Sequence, residues 1–152
     1  MPGSITLRCQ IADGLGEITG DGAQLRQMLI SLCANARESM PFGGALTIAG
    51  ANATLDETAA TLFPEANPGK FLLLSVSDTG VGISPEIRER IFDPFFTTKG
   101  PHVGVGLGLS AVLGIVRSHH GFIGVESEPG RGSRFSVYLP TLEDATYETS
   151  PA

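Results

Sequence analysis

Two glycine-bearing segments lie in the second half of the chain, and the first of them begins with a carboxylate. The first, Asp78–Ile83, reads Asp-Thr-Gly-Val-Gly-Ile, and the second, Gly104–Ser110, reads Gly-Val-Gly-Leu-Gly-Leu-Ser. A carboxylate only accepts hydrogen bonds, so Asp78 can receive the exocyclic amino group of adenine and reject the carbonyl of guanine. Glycine lets backbone approach a ligand, and free N–H groups ahead of a helix suit phosphates. These residue types fit a nucleotide, whereas a strand-end Asp-x-Gly in isolation is more often only a turn.

Upstream, the segment Ser31–Ala36 places an amide side chain on a predicted helix. At about 100° per residue, Asn35 falls at the edge of an apolar stripe, with Ser31 one turn earlier beside it. Mg²⁺ prefers oxygen ligands and keeps several waters, so one amide oxygen together with phosphates can form its inner shell. Taken alone, an asparagine in a helix is usually solvated or bonded locally.

The second glycine segment excludes two better-known phosphate-binding motifs. A P-loop needs Gly-Lys-Ser or Gly-Lys-Thr, and the dinucleotide motif needs G-x-G-x-x-G in a strand-to-helix turn. Gly104–Ser110 has neither pattern and precedes a predicted helix. The chain has a net charge of −6, so any phosphates that it binds must be held locally, by backbone N–H groups, a divalent cation and a few placed side-chain cations.

Periodicity and turn residues predict the elements that position these candidates. Ile5–Ile11 alternates like an edge strand. Asp21 is the predicted N-cap of a long helix, with Gln24 completing a capping box, and Pro41 ends it. The apolar residues of this helix form one stripe that faces a sheet: Leu25, Met28, Leu29, Leu32, Cys33, Ala36 and Met40.

The next elements are two strands and a short helix. Residues 45–52 form the first predicted strand, and Phe71–Asp78 is apolar enough to be a central strand covered on one face. The residues between them, 53–69, are predicted as a loop. Pro85 opens a short helix that runs to Ile91, with Ser84 as its N-cap.

A second long helix and a hairpin complete the predicted fold. The helix runs from Leu107 to His119 and is ended by Gly121. Phe122–Ser127 and Arg134–Leu139 then pair as a hairpin across a turn rich in glycine and proline. The residues of the second helix expected to face inward are Ala111, Val112, Ile115 and Val116.

Length and composition describe one globular domain. The chain has 152 residues, of which 41% are hydrophobic and 17% charged. Residues 1–140 are predicted as a single domain and residues 141–152 as a polar tail or linker stub. The net charge of −6 argues against a nucleic-acid partner, because such surfaces need clustered Lys and Arg.

The termini and cysteines give expectations about location and redox state. The chain start lacks the charged and apolar regions of a secretory signal, and no apolar run is long enough to cross a membrane. A cytoplasmic domain with no membrane contact of its own is therefore expected. Cys9 and Cys33 fall within a predicted strand and helix, where both are expected to be buried without a disulfide.

Four segments in this order resemble the N, G1, F and G2 boxes of the catalytic ATP-binding domain of sensor histidine kinases, members of the GHKL or Bergerat-fold ATPase superfamily. They are Ser31–Ala36, Asp78–Ile83, Ile91–Lys99 and Gly104–Ser110. The spacing and the Glu126–Ser133 stretch resemble kinases of the nitrogen-sensor or hybrid type. The resemblance covers nearly the whole chain and implies an α/β two-layer sandwich, with a mixed five-stranded sheet and about three helices on one face.

The resemblance also implies roles for individual residues. Asn35 corresponds to the protein ligand of Mg²⁺, and Asp78 to the residue that binds adenine. Lys99, with His102 beside it in a lid over the triphosphate, is placed to meet the phosphates. Phe92, Phe95 and Phe96 resemble the F box, which anchors that lid. The full implied ATP-binding set is Asn35, Asp78, Gly80, Gly82, Ile83, Lys99, Gly104, Gly106, Leu107, Gly108 and Ser133.

The implied reaction is transfer of the γ-phosphoryl group of Mg-ATP to a histidine on a separate dimerisation domain. His102, His119 and His120 do not match the sequence around such an acceptor, so the acceptor is expected outside this chain. A response regulator is the expected downstream partner. The family usually has asparagine where this chain has Ser31.

Two alternatives stay open on the sequence. An anti-sigma-type serine kinase would carry its own carboxylate one turn before Asn35, where this chain has Ser31. A nucleotide-binding regulatory module without catalysis is the other. Ser31 is the one hint toward it.

Overall fold

Five strands form one mixed sheet, with helices packed on one face. The computed structural model describes residues 4–57, 68–92 and 108–141. The strand order is β1-β2-β3-β5-β4; β1 runs parallel to β2, and the other neighbouring pairs are antiparallel. The predicted two-layer α/β sandwich is confirmed. The strands are β1 Ile5–Ile11, β2 Gly44–Leu55, β3 Gly69–Asp78, β4 Phe122–Glu128 and β5 Gly132–Pro140, and the helices are α1 Gly22–Glu38, α2 Pro85–Arg88 and α3 Gly108–Ser118.

The core lies between the two longer helices and the sheet. Met28, Leu32 and Ala36, spaced by four residues along α1, are buried against it, because residues four apart share one face of a helix. Val112 and Val116 do the same from α3. The sheet contributes Leu46, Val76, Phe135, Val137 and Leu139. Burying each large apolar side chain contributes about 1.5–3 kcal/mol.

The prediction that Ala111 faces inward is wrong, because this residue is exposed. Val112 and Val116 define the buried line of α3, and the adjacent partly buried residues are Leu109 and Ile115. Ala111 precedes Val112 by about 100° around the helix, which turns it toward solvent.

The strands are longer than predicted at their ends. Residues 53–55, predicted as loop, extend β2 and pair with residues 69–71 of β3. The remainder of that predicted loop from residue 58 to 67 lies outside the described residues. Ser84 occupies the predicted N-cap position of α2 with extended backbone, although its side chain makes no capping hydrogen bond.

The start of α1 is capped from two directions. The Oδ1 atom of Asp21 accepts hydrogen bonds from the N–H groups of Ala23 and Gln24 at 2.9 and 3.1 Å, as an N-cap should. The Asp21 N–H, however, donates to Nε2 of His119 at 3.0 Å and not to Gln24. Nδ1 of His119 lies 2.8 Å from the carbonyl oxygen of Ile115 and donates to it, which leaves Nε2 as an acceptor. The reciprocal half of the predicted capping box is therefore supplied by the end of α3.

Replacing His119 with alanine is expected to lower the free energy of unfolding by about 1 kcal/mol, the usual size of one capping hydrogen bond. Gln24→Ala is the matched control, since Gln24 is exposed and is replaced by a better helix former. Urea unfolding of both variants provides the measurement. A larger loss of unfolding free energy in Gln24→Ala than in His119→Ala would instead support the predicted capping box, with Gln24 as the partner of the Asp21 N–H.

The end of α3 differs from the prediction that Gly121 stops the helix. His120 has the left-handed backbone, with φ of 63°. The N–H of His120 donates to the Arg117 carbonyl at 3.0 Å and that of Gly121 to the Val116 carbonyl at 2.9 Å, the pattern of a Schellman motif. A Cβ at position 121 would lie 2.2 Å from the Tyr138 carbonyl oxygen. Gly121 is therefore required by its close approach to β5.

Both cysteines are free thiols, and neither is fully buried: Cys9 is exposed and Cys33 is half-buried. The prediction that Cys9 is buried is wrong because the helices leave the edge strand β1 largely uncovered. Its apolar residues Leu7 and Ile11 are 61% and 55% exposed. Cys33, on α1, packs against the core but is only partly buried.

We expect Cys9 to react with a thiol reagent such as DTNB well before Cys33 does. Burial, and secondarily the neighbouring Cys9 thiol, raises the pKa of Cys33, and only the thiolate is nucleophilic. Stopped-flow traces of Cys9→Ser and Cys33→Ser assign the two phases. Faster labelling of the variant that retains Cys33 would contradict the exposure of Cys9.

Candidate functional site

Asp78, the last residue of β3, is a carboxylate buried to 6% exposure. Its Oδ1 accepts the N–H of Gly80 at 2.8 Å. Burial raises the pKa of Asp78, opposed by hydrogen bonds from the Gly80 N–H, the Ser39 hydroxyl and the Ser133 N–H. Within the described part of the chain no cation contributes to this balance. A buried carboxylate that is hydrogen-bonded but has no cationic partner among the described residues marks a candidate ligand site.

Ser133 is the direct cross-strand partner of Asp78 in the β3–β5 pairing and is 8% exposed. Residues directly opposite each other in an antiparallel pair project from the same face of the sheet. The two sequence-predicted residues are therefore brought side by side, although they are far apart along the chain. Together they offer a carboxylate and a hydroxyl at one end of the sheet.

The loop that follows Asp78 is held between α1 and the β4–β5 turn. The Val81 N–H donates to the Ser39 carbonyl at 3.0 Å, and the Gly130 N–H donates to the Val81 carbonyl at 2.7 Å. A Cβ on Gly80 would lie 2.1 Å from the Ser39 carbonyl oxygen. Gly82 has φ of 74°, and its Cβ would lie 2.0 Å from the Glu128 carbonyl oxygen.

These distances give a reason for Gly80 and Gly82 that differs from the one inferred from sequence. The sequence predicted that missing side chains admit a ligand. In the structure, the space that each side chain would need is occupied by the protein's own backbone. The glycines thus fix where the loop, and with it Ile83, lies relative to Asp78.

Three residues of this cluster were missed by the sequence reasoning: Ser39, Ser127 and Gly132. Ser127 Oγ accepts the Ile83 N–H at 2.7 Å. Gly132 has φ of 102°, and its Cβ would lie 2.1 Å from the Asp78 carbonyl oxygen. Ser127 could have been found from the predicted hairpin, because the register of its two strands places Ser127 opposite Ser133.

Asn35 lies half-buried on α1, one turn before Ser39. Since residues four apart share a helix face and the Ser39 hydroxyl interacts with Asp78, Asn35 lies on the Asp78 side of α1. The hydroxyl of Ser31 accepts the Gln27 amide at 3.3 Å. Among the described residues the Asn35 amide has no hydrogen-bond partner, which fits an oxygen available to a metal–phosphate shell.

A pocket of about 560 Å³ adjoins the Asp78–Ser133 pair, a volume within the usual range for ligand sites. It takes in the hairpin side of the cluster, since Asn35 does not line it. Acidic and basic side chains both contribute to its lining. The lining residues are Ser77, Asp78, Arg88, Val125, Glu126, Ser127, Glu128, Arg131, Gly132, Ser133 and Arg134.

Of the second glycine segment, the structure describes Gly108, Leu109 and Ser110, which form the start of α3. The predicted residues Lys99, His102, Gly104, Gly106 and Leu107, with Phe95 and Phe96, lie outside the described residues. Phe92 packs edge-to-face on Phe135 of the core, with ring centroids 6.5 Å apart. Phe92 therefore packs against the core, and its role in anchoring a lid stays a prediction.

The chain belongs to the family of histidine kinase-, DNA gyrase B-, and HSP90-like ATPases, whose model matches residues 20–143. It is 38% identical to the sensor kinase CckA of Brucella abortus (strain 2308) over 138 residues, or 91% of this chain and 15% of the relative. It is also 38% identical to the sensor histidine kinase ZraS of Escherichia coli O157:H7 over 136 residues, covering 90% of this chain and 26% of the relative.

Solved structures agree with this assignment. The catalytic domain of histidine kinase ThkA superposes with a TM-score of 0.68 at 28% identity, covering 90% of this chain and 80% of that one. Full-length ShkA in complex with AMPPNP gives a TM-score of 0.70 at 28% identity, covering 90% of this chain and 26% of that one. The resemblance to a sensor histidine kinase catalytic domain is confirmed; the nitrogen-sensor or hybrid subtype stays a prediction.

The relatives are much longer than this chain, which spans 15% of CckA and 26% of ZraS. They are multidomain sensor kinases. Within the described residues, no helix has the length and apolar character needed to cross a bilayer.

Proposed function

We propose that this chain binds Mg-ATP and donates the γ-phosphoryl group to a histidine on a separate dimerisation domain. The observation that carries the proposal is the buried Asp78 carboxylate, 6% exposed and paired across the sheet with Ser133, in a chain of the histidine kinase-like ATPase family. A buried acceptor without a cation suits the amino group of adenine.

In this proposal Asn35 supplies a neutral oxygen to Mg²⁺, whose charge would offset that of the phosphates. The half-buried Asn35 amide, which has no hydrogen-bond partner among the residues that the structure describes, supports this role. Ser133 adds a hydroxyl beside the base. Lys99, Gly104, Gly106, Leu107 and Gly108 are proposed to meet the triphosphate, and Gly80, Gly82 and Ile83 to hold the loop beside the base.

The acceptor histidine is proposed to lie in the dimerisation domain of the parent kinase, and the phosphoryl group to pass to a response regulator. Among the described histidines, the His119 ring is occupied in capping α1 and His120 terminates α3, so both have structural roles. A cytoplasmic location follows, because ATP is a cytosolic substrate.

Titration calorimetry with AMP-PNP, with and without Mg²⁺, tests the nucleotide part of the proposal. Asn35→Ala is expected to reduce the Mg²⁺-dependent gain in affinity about tenfold, the size of one interaction with a charged partner, while metal-free binding is unchanged. Gln24→Ala, an exposed amide exchange on the same helix, is the control. An unaltered magnesium dependence in Asn35→Ala would exclude this residue as the ligand.

Phosphotransfer is tested by adding labelled ATP and a histidine-bearing dimerisation domain from a sensor kinase. Acid-labile label on that domain supports the proposed reaction. Acid-stable label on a serine would favour the serine-kinase alternative. Nucleotide binding without any transfer to acceptor domains of several sensor kinases would favour the regulatory module.

A further inference from the structure

Three polar groups surround the hydroxyl of Ser127. It is 2.7 Å from the Ile83 nitrogen, 3.0 Å from the Gly132 carbonyl oxygen and 2.8 Å from the Ser133 hydroxyl. Ser127 is paired with Ser133 in β4–β5, and Ser133 with Asp78 in β3–β5. The three side chains therefore form a continuous row across three strands, Ser127 to Ser133 to Asp78.

The directions of these hydrogen bonds follow from counting protons. The Ile83 N–H can only donate, the Gly132 carbonyl can only accept, and Ser127 has one proton. When Ser127 donates to Gly132, its two lone pairs accept from Ile83 and Ser133, and all four groups are satisfied. When Ser127 instead donates to Ser133, it turns a lone pair toward the Gly132 oxygen at 3.0 Å. The first arrangement is favoured because buried polar groups are costly to leave unpaired.

In the favoured arrangement the proton of Ser133 points away from the base site. Ser133 then presents only lone pairs beside the Asp78 carboxylate, which also only accepts. Two adjacent acceptors suit a base edge that offers an amino group, directly or through a water that donates to both partners. They disfavour a 6-oxo purine, whose carbonyl oxygen would face the same pair.

We propose that Ser127 is a specificity-determining positioning residue, which acts through Ser133 by fixing that hydroxyl as an acceptor and thereby sharpens the preference for 6-amino over 6-oxo purines. The inference rests on the proposed nucleotide function. Without the Ser127 hydroxyl, the Ser133 proton is free to turn toward the site and to donate to a 6-oxo group. Ser127 needs no contact with the nucleotide for this effect.

The test is the ratio of the dissociation constants of IDP and ADP, measured by titration calorimetry with Mg²⁺. Ser127→Ala is expected to reduce this ratio about tenfold, the value of one hydrogen bond to a ligand. Ser127→Thr keeps the hydroxyl and should restore the ratio. In a Ser133→Ala background, Ser127→Ala should leave the ratio unchanged, because its effect passes through Ser133.

If Ser127 had a purely structural role, Ser127→Ala would weaken the binding of ADP and IDP by the same factor. The ratio of their dissociation constants would then keep its wild-type value, and this result would overturn the inference. Ser127→Cys keeps a side chain of similar size, but its sulfur accepts hydrogen bonds weakly and so holds the Ser133 proton less firmly. It takes the place of Ser127→Ala if that variant does not fold, and the same fall in the ratio is expected. Absence of ADP binding by the wild-type chain would remove the proposed function and the inference together. Binding with an unaltered ratio removes only the inference.

Discussion

Replacing Asp78 with asparagine is expected to weaken AMP-PNP binding by about 10- to 100-fold without loss of the fold. The carboxylate is the proposed acceptor for the adenine amino group, and a hydrogen bond to a charged group contributes about 1.5–3 kcal/mol. Asparagine keeps the size of the side chain and an oxygen for the Gly80 N–H, which lies 2.8 Å from Oδ1. Titration calorimetry measures the loss. Asp13→Asn, on an exposed aspartate, is the control and should bind as the wild type does.

The same substitution has a predicted effect on stability, whose sign follows from the pKa. Burial raises the pKa of Asp78 in the folded chain, so the ionised carboxylate is disfavoured by folding. Its contribution to stability is fully present below the unfolded pKa and is lost as the pH rises through the higher folded pKa. At neutral pH, Asp78→Asn should therefore be at least as stable as the wild type.

Lowering the pH should reduce any stability advantage of Asp78→Asn across the window between the unfolded and the raised folded pKa of Asp78. Nucleotide affinity of the wild type should also fall as the pH is lowered, because protonation replaces the charged acceptor with a neutral carboxyl group that also carries a donor. Urea unfolding and calorimetry over that pH range measure the two effects. A variant that is markedly less stable than the wild type at neutral pH would show that the carboxylate is mainly structural.

Gly82→Ala is expected to cost about 2–5 kcal/mol of unfolding free energy, the largest loss of stability among these substitutions. A left-handed φ, here 74°, costs a non-glycine residue about 1–2 kcal/mol. The added Cβ would also lie 2.0 Å from the Glu128 carbonyl oxygen, and overpacking of this kind adds about 1–3 kcal/mol. Because the clash lies in backbone, it can be relieved only by moving the loop away from the β4–β5 turn.

Gly130→Ala is the matched control for this prediction. Gly130 has a similar φ of 82°, but nothing lies within 4 Å of its added Cβ. Gly130→Ala should lose only the unfolding free energy due to the left-handed backbone, about 1–2 kcal/mol. The difference in unfolding free energy between the two variants therefore measures the cost of the clash at position 82. Urea unfolding gives both values, and AMP-PNP titration should show weakened binding for Gly82→Ala alone. Equal losses of stability would mean that the loop adapts and that its fixed position is not enforced by Gly82.

The sequence alone was sufficient to predict most of the elements, and it singled out Asp78, Ser133 and Asn35, whose roles in ligand binding stay predictions. The apolar repeat of Met28, Leu32 and Ala36 predicts the buried face of α1, and the apolar run before Asp78 predicts a central strand. The Asp21 N-cap and the hairpin are likewise properties of neighbouring residues. Hydrophobic periodicity and backbone preference act over a few residues, so they can be read without knowing the fold.

The tertiary structure decided which groups meet. His119 caps a helix that begins 98 residues earlier, and no local pattern specifies that contact. The exposure of Cys9 depends on β1 being left uncovered at the sheet edge. Ser127, Ser133 and Asp78 form one row only because β5 lies between β3 and β4 in a particular register. Sheet order and register arise from packing across the whole chain, and they determine which hydroxyl faces which acceptor and which carbonyl fills the space beside a glycine.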